Sequence, residues 1–224
     1  MPSFRILPVG DAALVVELPE RIDPALNAWC VALARELAPS VGTSLRDVVV
    51  GYCSVTLYFD PLEVDAAWLE TEVRTRAERL DVGSTPDGRL IEVPVCYGGD
   101  MGPDLADVAA FAGCSEQEAI ALHAGRDYRV YMVGFIPGFA YMAEVAAQIA
   151  APRRLTPRTA VPAGSVAIAG GQTGIYPAVT PGGWNIIGRT RLRPYDPDRR
   201  EPFLFRSGDR VRFRSIRPDE FDDV

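Results

Sequence analysis

Two early stretches alternate apolar and polar positions with period two, and each gives way to a segment with the 3.6-residue period of a helix. In the first, FRILPVGDAALVVEL, the break at Gly10-Asp11 predicts a hairpin. Asp23 and Pro24 then supply the N-cap and first-turn proline of a helix running to about Ala38, with Leu26, Trp29, Cys30, Leu33 and Leu37 spaced to bury one face. RDVVVGYCSVTLYFD repeats the hairpin, and Asp65 opens a second helix whose inward positions read as Trp68, Leu69, Val73 and Leu80. Two hairpin-plus-helix units predict a small α+β sandwich with both helices on one sheet face.

The texture changes across DVGSTPDGR, a turn-rich connector that divides the chain into domains 1–85 and 86–224. LIEVPVCYG reads as a strand, and short helices are expected from Asp104 to Ala112 and from Ser115 to His123. Ser115 and Glu118 form a capping box, while Gly113 and Gly125 stand where helix C-caps belong. From Tyr128 to Ile216 short apolar runs are broken by Gly and Pro, the pattern of a closed or partly closed β-barrel.

Composition narrows the class. With 224 residues, 48% of them hydrophobic and 24% charged, the chain can bury a core; it shows no apolar run of membrane-spanning length and no signal-peptide order at its start. A cytoplasmic protein with no membrane partner is the expectation. Cys30, Cys53, Cys96 and Cys114 are scattered singly and read as buried thiols, with no metal-ligand spacing. There is no lysine, so a P-loop lysine, a Schiff base and a biotin attached to this chain are all excluded. Residues 1–152 hold 10 Arg against 22 acids, whereas residues 153–217 hold 13 Arg against 4. That basic excess surrounds a stretch from Val161 to Thr190 rich in Gly and Pro, yet carrying Gln172, Tyr176 and Trp184, which reads as a binding surface built on turns. Guanidinium groups suit carboxylates or phosphates, with a solvated strand surface or an acidic partner as the alternative.

The candidate chemistry is concentrated there. The helix pair at 104–123 carries glutamates and no arginine, which argues against a DNA-reading helix and any nucleic-acid partner. His123, the single histidine, reads either as packed near a helix end or as a site residue. Ser165 lacks the flanks of a nucleophile elbow. In MVGFIPGFAY an apolar strand meets a Pro-Gly turn beside Phe135, Phe139 and Tyr141. Arg153, Arg154 and Arg158 are spaced by prolines, which predicts exposed, rigidly projecting guanidinium groups, and no Walker A motif accompanies them.

GFIPGFAYM, PRRLTPRTAVPAGSVAIAGGQTGIYP and TPGGWNIIGRT, with GDAALVVEL, YFDP and YGGDMGPDL before them, resemble the allophanate hydrolase subunit 1 family over nearly the whole chain. The resemblance implies a ferredoxin-like α/β sandwich followed by a cyclophilin-like β-barrel. It also implies one of three activities. Some members are small subunits of ATP-dependent 5-oxoprolinases, working with a related larger subunit (PxpC or allophanate hydrolase subunit 2-like) and a barrel-type subunit (PxpA or LamB/YcsF-like). Others are carboxyltransferase parts acting on urea or a related amide, and KipI-like members inhibit sensor histidine kinases. The first reading is the expected one. It brings ATP with Mg as cofactor in the complex, and it casts His123, Asp100 and Gln172 as catalytic candidates. Tyr141, Arg153, Arg154, Arg158, Ser165, Gln172, Thr173, Tyr176 and Trp184 become substrate- or nucleotide-binding candidates, with no metal ligand of the chain's own. Asp104 is expected to cap its helix.

Overall fold

The structure is a computed structural model that describes residues 1–40, 42–81 and 88–223. Backbone contacts divide the chain into two compact units, residues 1–87 and 88–224. The expected boundary at 85/86 lies outside the described residues.

The first unit follows the two hairpin-plus-helix patterns. Strands β1 (Arg5–Pro8) and β2 (Ala13–Glu17) precede helix α1 (Pro24–Leu37), and β3 (Asp47–Val50) and β4 (Ser54–Tyr58) precede α2 (Ala66–Arg79). They form an antiparallel sheet in the order β1-β2-β4-β3. Asp23 caps α1 through the Ala25 and Leu26 amides at 2.8 and 3.2 Å, and Asp65 caps α2 through the Trp68 amide at 2.8 Å. Trp29, Leu33 and Leu37 of α1 and Leu69, Val73 and Ala77 of α2 share one core with Leu14, Val16, Val55 and Leu57 of the sheet. Trp68 departs from expectation: it is 52% exposed. Leu69, Val73 and Ala77, four apart, set the buried stripe, and Trp68 stands one helical step round from it.

The second unit is a closed barrel in the order β10-β7-β6-β13-β5-β12-β9. Its strands are β5 (Leu90–Tyr97), β6 (Asp127–Val133), β7 (Ala140–Ala143), β9 (Ser165–Ala169), β10 (Gln172–Ile175), β12 (Asn185–Arg189) and β13 (Arg210–Ile216). Pairing is antiparallel except between β5 and β13. A separate ribbon pairs β8 (Arg158–Val161) with β11 (Thr180–Gly182). Helices α3 (Leu105–Ala112) and α4 (Glu116–Ala124) add Leu105, Val108, Ala109 and Ala119 to the interior cluster formed by strand residues such as Val93, Val130, Met142 and Phe213. Gly113 ends α3 in the left-handed conformation, and the Ser115/Glu118 capping box starts α4.

Strand β9 shows why the barrel has a second apolar layer. Its residues are all buried, Val166 and Ile168 in the interior cluster and Ala167 and Ala169 in another that holds Phe139, Val161, Tyr176, Trp184 and Ile186. Branched side chains fill the inside, and alanines outside leave room for aromatic rings. All four cysteines are free; Cys30 and Cys96 are buried as expected, whereas Cys53 and Cys114 are half-buried. No helix among the described residues is long and apolar enough to cross a membrane.

Candidate functional site

The outer aromatic layer opens into a groove of about 280 Å³ bounded by Phe135, Phe139, Tyr141, Arg153, Tyr176 and Trp184, with Pro157 and Pro181 to Gly183 along its edge. Phe139 is the hub: Tyr141, Tyr176 and Trp184 meet it edge-on at centroid distances of 4.8, 5.3 and 5.4 Å. Burial pushes the Tyr141 and Tyr176 phenols above their ordinary value, against an opposing pull from the Arg153 guanidinium, so both remain O–H donors. Arg153 itself lies over the Trp184 ring, 5.9 Å from its centroid. No carboxylate among the described residues pairs with it.

The neighbouring arginines do different work. Asp104, 2% exposed, accepts from Arg154 at 2.7 Å and from both terminal nitrogens of Arg158 at 2.8 Å. It also accepts the Ile186 amide at 2.7 Å. The expectation that Asp104 caps α3 is corrected: it occupies the N-cap position, but its side chain bonds no helix amide because four other donors saturate it. The freely projecting Arg154 and Arg158 of the sequence reading are corrected with it, since both are tied to a buried carboxylate. Together with the Arg154 amide on the Gly183 carbonyl at 2.8 Å, this clamp fixes the 152–158 loop beside the groove and leaves Arg153 as its cation.

His123 is also not at the groove. It is fully buried, stacked on Phe213 at 4.6 Å, with Nδ1 2.8 Å from the Tyr97 hydroxyl and Nε2 2.9 Å from Thr173 Oγ1. Thr173 donates its proton to the Ala167 carbonyl, so it accepts from Nε2–H, and Nδ1 accepts from Tyr97. This chain of donors saturates a neutral imidazole, and burial lowers its pKa to about 3. The structure therefore places the catalytic candidate His123 and the binding candidate Thr173 in the barrel interior, where they hold α4 against β10. Ser165 is buried at the start of β9. Gln172 is half-buried at the start of β10, and Asp100 is exposed in the single turn Gly99–Met101; neither lines the groove.

Of the candidates, Tyr141, Arg153, Tyr176 and Trp184 come together, joined by Phe135 and Phe139, which were absent from the candidate set. Their signal was present in GFIPGF, whose tight turn sets two phenylalanines beside Tyr141.

The family model of the carboxyltransferase domain, subdomain C and D, matches residues 4–205 of this chain. The chain belongs to this carboxyltransferase-domain family. The B component of the 5-oxoprolinase of Bacillus subtilis (strain 168) is 36% identical across 97% of this family member and 95% of its own length. The B component from Escherichia coli O157:H7 is 41% identical across 95% and 96%. The crystal structure of TTHA0988 in space group P212121 superposes with a TM-score of 0.82 at 39% identity, covering 91% of this chain and 40% of that one, so this chain spans less than half of that protein. The Kluyveromyces lactis urea amidolyase, at 16% identity and a TM-score of 0.78, shares the fold. The whole groove falls within the span that defines the carboxyltransferase-domain family.

Proposed function

We propose that this chain is the small subunit of an ATP-dependent 5-oxoprolinase, helping to phosphorylate and open 5-oxoproline to L-glutamate. The observation that carries this reading is the near-full-length similarity to proteins named as the B component of 5-oxoprolinase, at 36% and 41% identity. The proposed partners are a larger PxpC or allophanate hydrolase subunit 2-like chain and a PxpA or LamB/YcsF-like chain, acting in the cytoplasm. We also read the first unit as ferredoxin-like, on its two helices packed against a four-stranded antiparallel sheet, and the barrel as cyclophilin-like.

A lactam resists water because its amide is resonance-stabilised. Transfer of the ATP γ-phosphoryl group to the lactam oxygen releases ADP and removes the amide resonance. Water then adds to that carbon, the C–N bond breaks with the nitrogen taking a proton, and hydrolysis of the resulting acyl phosphate releases inorganic phosphate and glutamate. This chain's share is to hold an anionic substrate: Arg153 supplies charge, the Tyr141 and Tyr176 hydroxyls supply donors, and the surrounding rings exclude water. ATP and Mg are expected in the assembled complex. Asp100, exposed in its single turn, is the carboxylate proposed to meet that Mg or to orient a nucleophile.

Purified chain mixed with both partner subunits, ATP and 5-oxoproline should release glutamate and ADP together. A verified complex that releases neither refutes the reading. A second reading, carboxyl transfer to urea or a related amide, is favoured by the family model's own description. It needs biotin on another chain, since this one has no lysine. Carboxylation with a biotinylated partner and no lactam opening selects it, and loss of kinase autophosphorylation on adding the chain selects the KipI-like alternative.

A further inference from the structure

Phe135 is a bulky aromatic residue with φ 71°, a region that side chains with a Cβ rarely enter. The Ile136 amide donates to the Gly134 carbonyl at 2.9 Å, so Phe135 is the central residue of a γ-turn of the positive-φ kind, which is rare and strained. Glycine would take this conformation freely, and glycines stand nearby at 134 and 138. The strained position is instead occupied by a ring that is 61% exposed and touches the groove's hub, Phe139, edge-on at 5.7 Å. So little burial gives the fold small return for the strain. Strain of this kind gathers where a side chain must be presented to a ligand.

Two further observations define what the groove takes. Its lone facing cation, Arg153, has no carboxylate partner among the described residues, whereas Arg154 and Arg158 are both held by the buried carboxylate of Asp104. Its volume of about 280 Å³ lies just below the range of clefts that hold drug-sized ligands. A groove of that size suits a compact ligand better than an extended one such as a nucleoside triphosphate.

Resting on the 5-oxoprolinase reading, we propose that this groove binds the cyclic carboxylate substrate and not the nucleotide. Arg153 holds the substrate's carboxylate, and Phe135, presented by the γ-turn, closes over its ring as the specificity-determining residue. Flat aromatic walls at Tyr141 and Trp184 suit a five-membered lactam. The nucleotide is then held by surfaces outside this groove.

In the assembled complex, Arg153→Gln should raise KM for 5-oxoproline 10- to 100-fold while KM for ATP stays within about 2-fold. Inhibition by 2-pyrrolidone, the same lactam without the carboxylate, should be unaffected by that change. Phe135→Gly should raise KM for 5-oxoproline and keep or increase the thermal stability of the chain, the opposite of what a packing residue would do. A shift in KM for ATP with that for 5-oxoproline unmoved would overturn the assignment, as would variants with wild-type constants for both. The isolated full chain gives an independent readout: 5-oxoproline, and not ATP, should move the Trp184 indole NMR signal, identified with Trp184→Phe, and Arg153→Gln should abolish the movement. If the complex opens no lactam but this signal responds, the proposed function fails and the groove assignment stands. If the complex is active and the signal is silent, the groove assignment fails alone.

Discussion

The single histidine allows the barrel interior to be tested by acid. His123 is enclosed by Tyr97, Tyr128, Thr173 and Phe213, and its pKa falls from 6.5 to about 3 because burial disfavours the imidazolium, with a smaller push from Arg126. The tyrosines facing it are shifted upward by burial and stay protonated throughout the acid range. Because the folded pKa lies below the unfolded one, the unfolded chain binds the extra proton, and stability present above pH 6.5 is lost as pH falls toward 3. At about 1.36 kcal/mol per pH unit, lowering pH from 7.5 to 5 costs the folded state about 2 kcal/mol through this residue. Urea unfolding of the full chain at these two pH values should show that loss, and His123→Gln should reduce it by about the same amount. Carboxylates titrating in the same range contribute equally to both proteins and cancel in the difference. Should the variant fold poorly, the native protein still gives an answer, since its only imidazole resonance needs no assignment by mutation. A ring signal titrating with a midpoint above pH 5 would refute the reasoning.

Asp104→Ala removes one buried carboxylate from two guanidinium groups and one backbone amide. Breaking a buried pair costs about 3–5 kcal/mol, and because the Arg154 and Arg158 side chains are 34% and 26% exposed, about 2–3 kcal/mol is expected in urea unfolding; a loss below about 0.5 kcal/mol would show that the clamp is ornamental. Gly182→Ala sets a methyl 2.8 Å from Cζ of Tyr176, too close for that ring to keep its place in the groove wall. It should weaken substrate binding at least about 10-fold and lower stability by about 1–3 kcal/mol, as overpacking does. Unchanged KM with an unmoved Tyr176 ring would count against the groove.

Much of the architecture was legible in contiguous residues. The hairpins followed from alternation, α1 from Asp23-Pro24 and its apolar stripe, and α4 from the Ser115/Glu118 box. Trp68 marks the limit of such patterns: a large apolar residue at the edge of a stripe is assigned inward by composition but stays out when Leu69, Val73 and Ala77 already fill the sheet face. The candidate site was legible in part, because Tyr141, Arg153, Tyr176 and Trp184 stand out as aromatic and cationic side chains among glycines and prolines.

The sequence by itself determined the elements, the N-caps of α1, α2 and α4 and the aromatic and basic character of the barrel's outer face, since each depends on residues within a turn or two of one another. Only the tertiary structure decided which arginine remains open to a ligand. Arg154 and Arg158 meet Asp104 across 50 and 54 residues of chain, and His123 meets Thr173 across 50. Such partners are brought together by barrel closure, and in a low-dielectric interior it is the partner that settles whether a charged or titratable group is spent on the fold or left for chemistry.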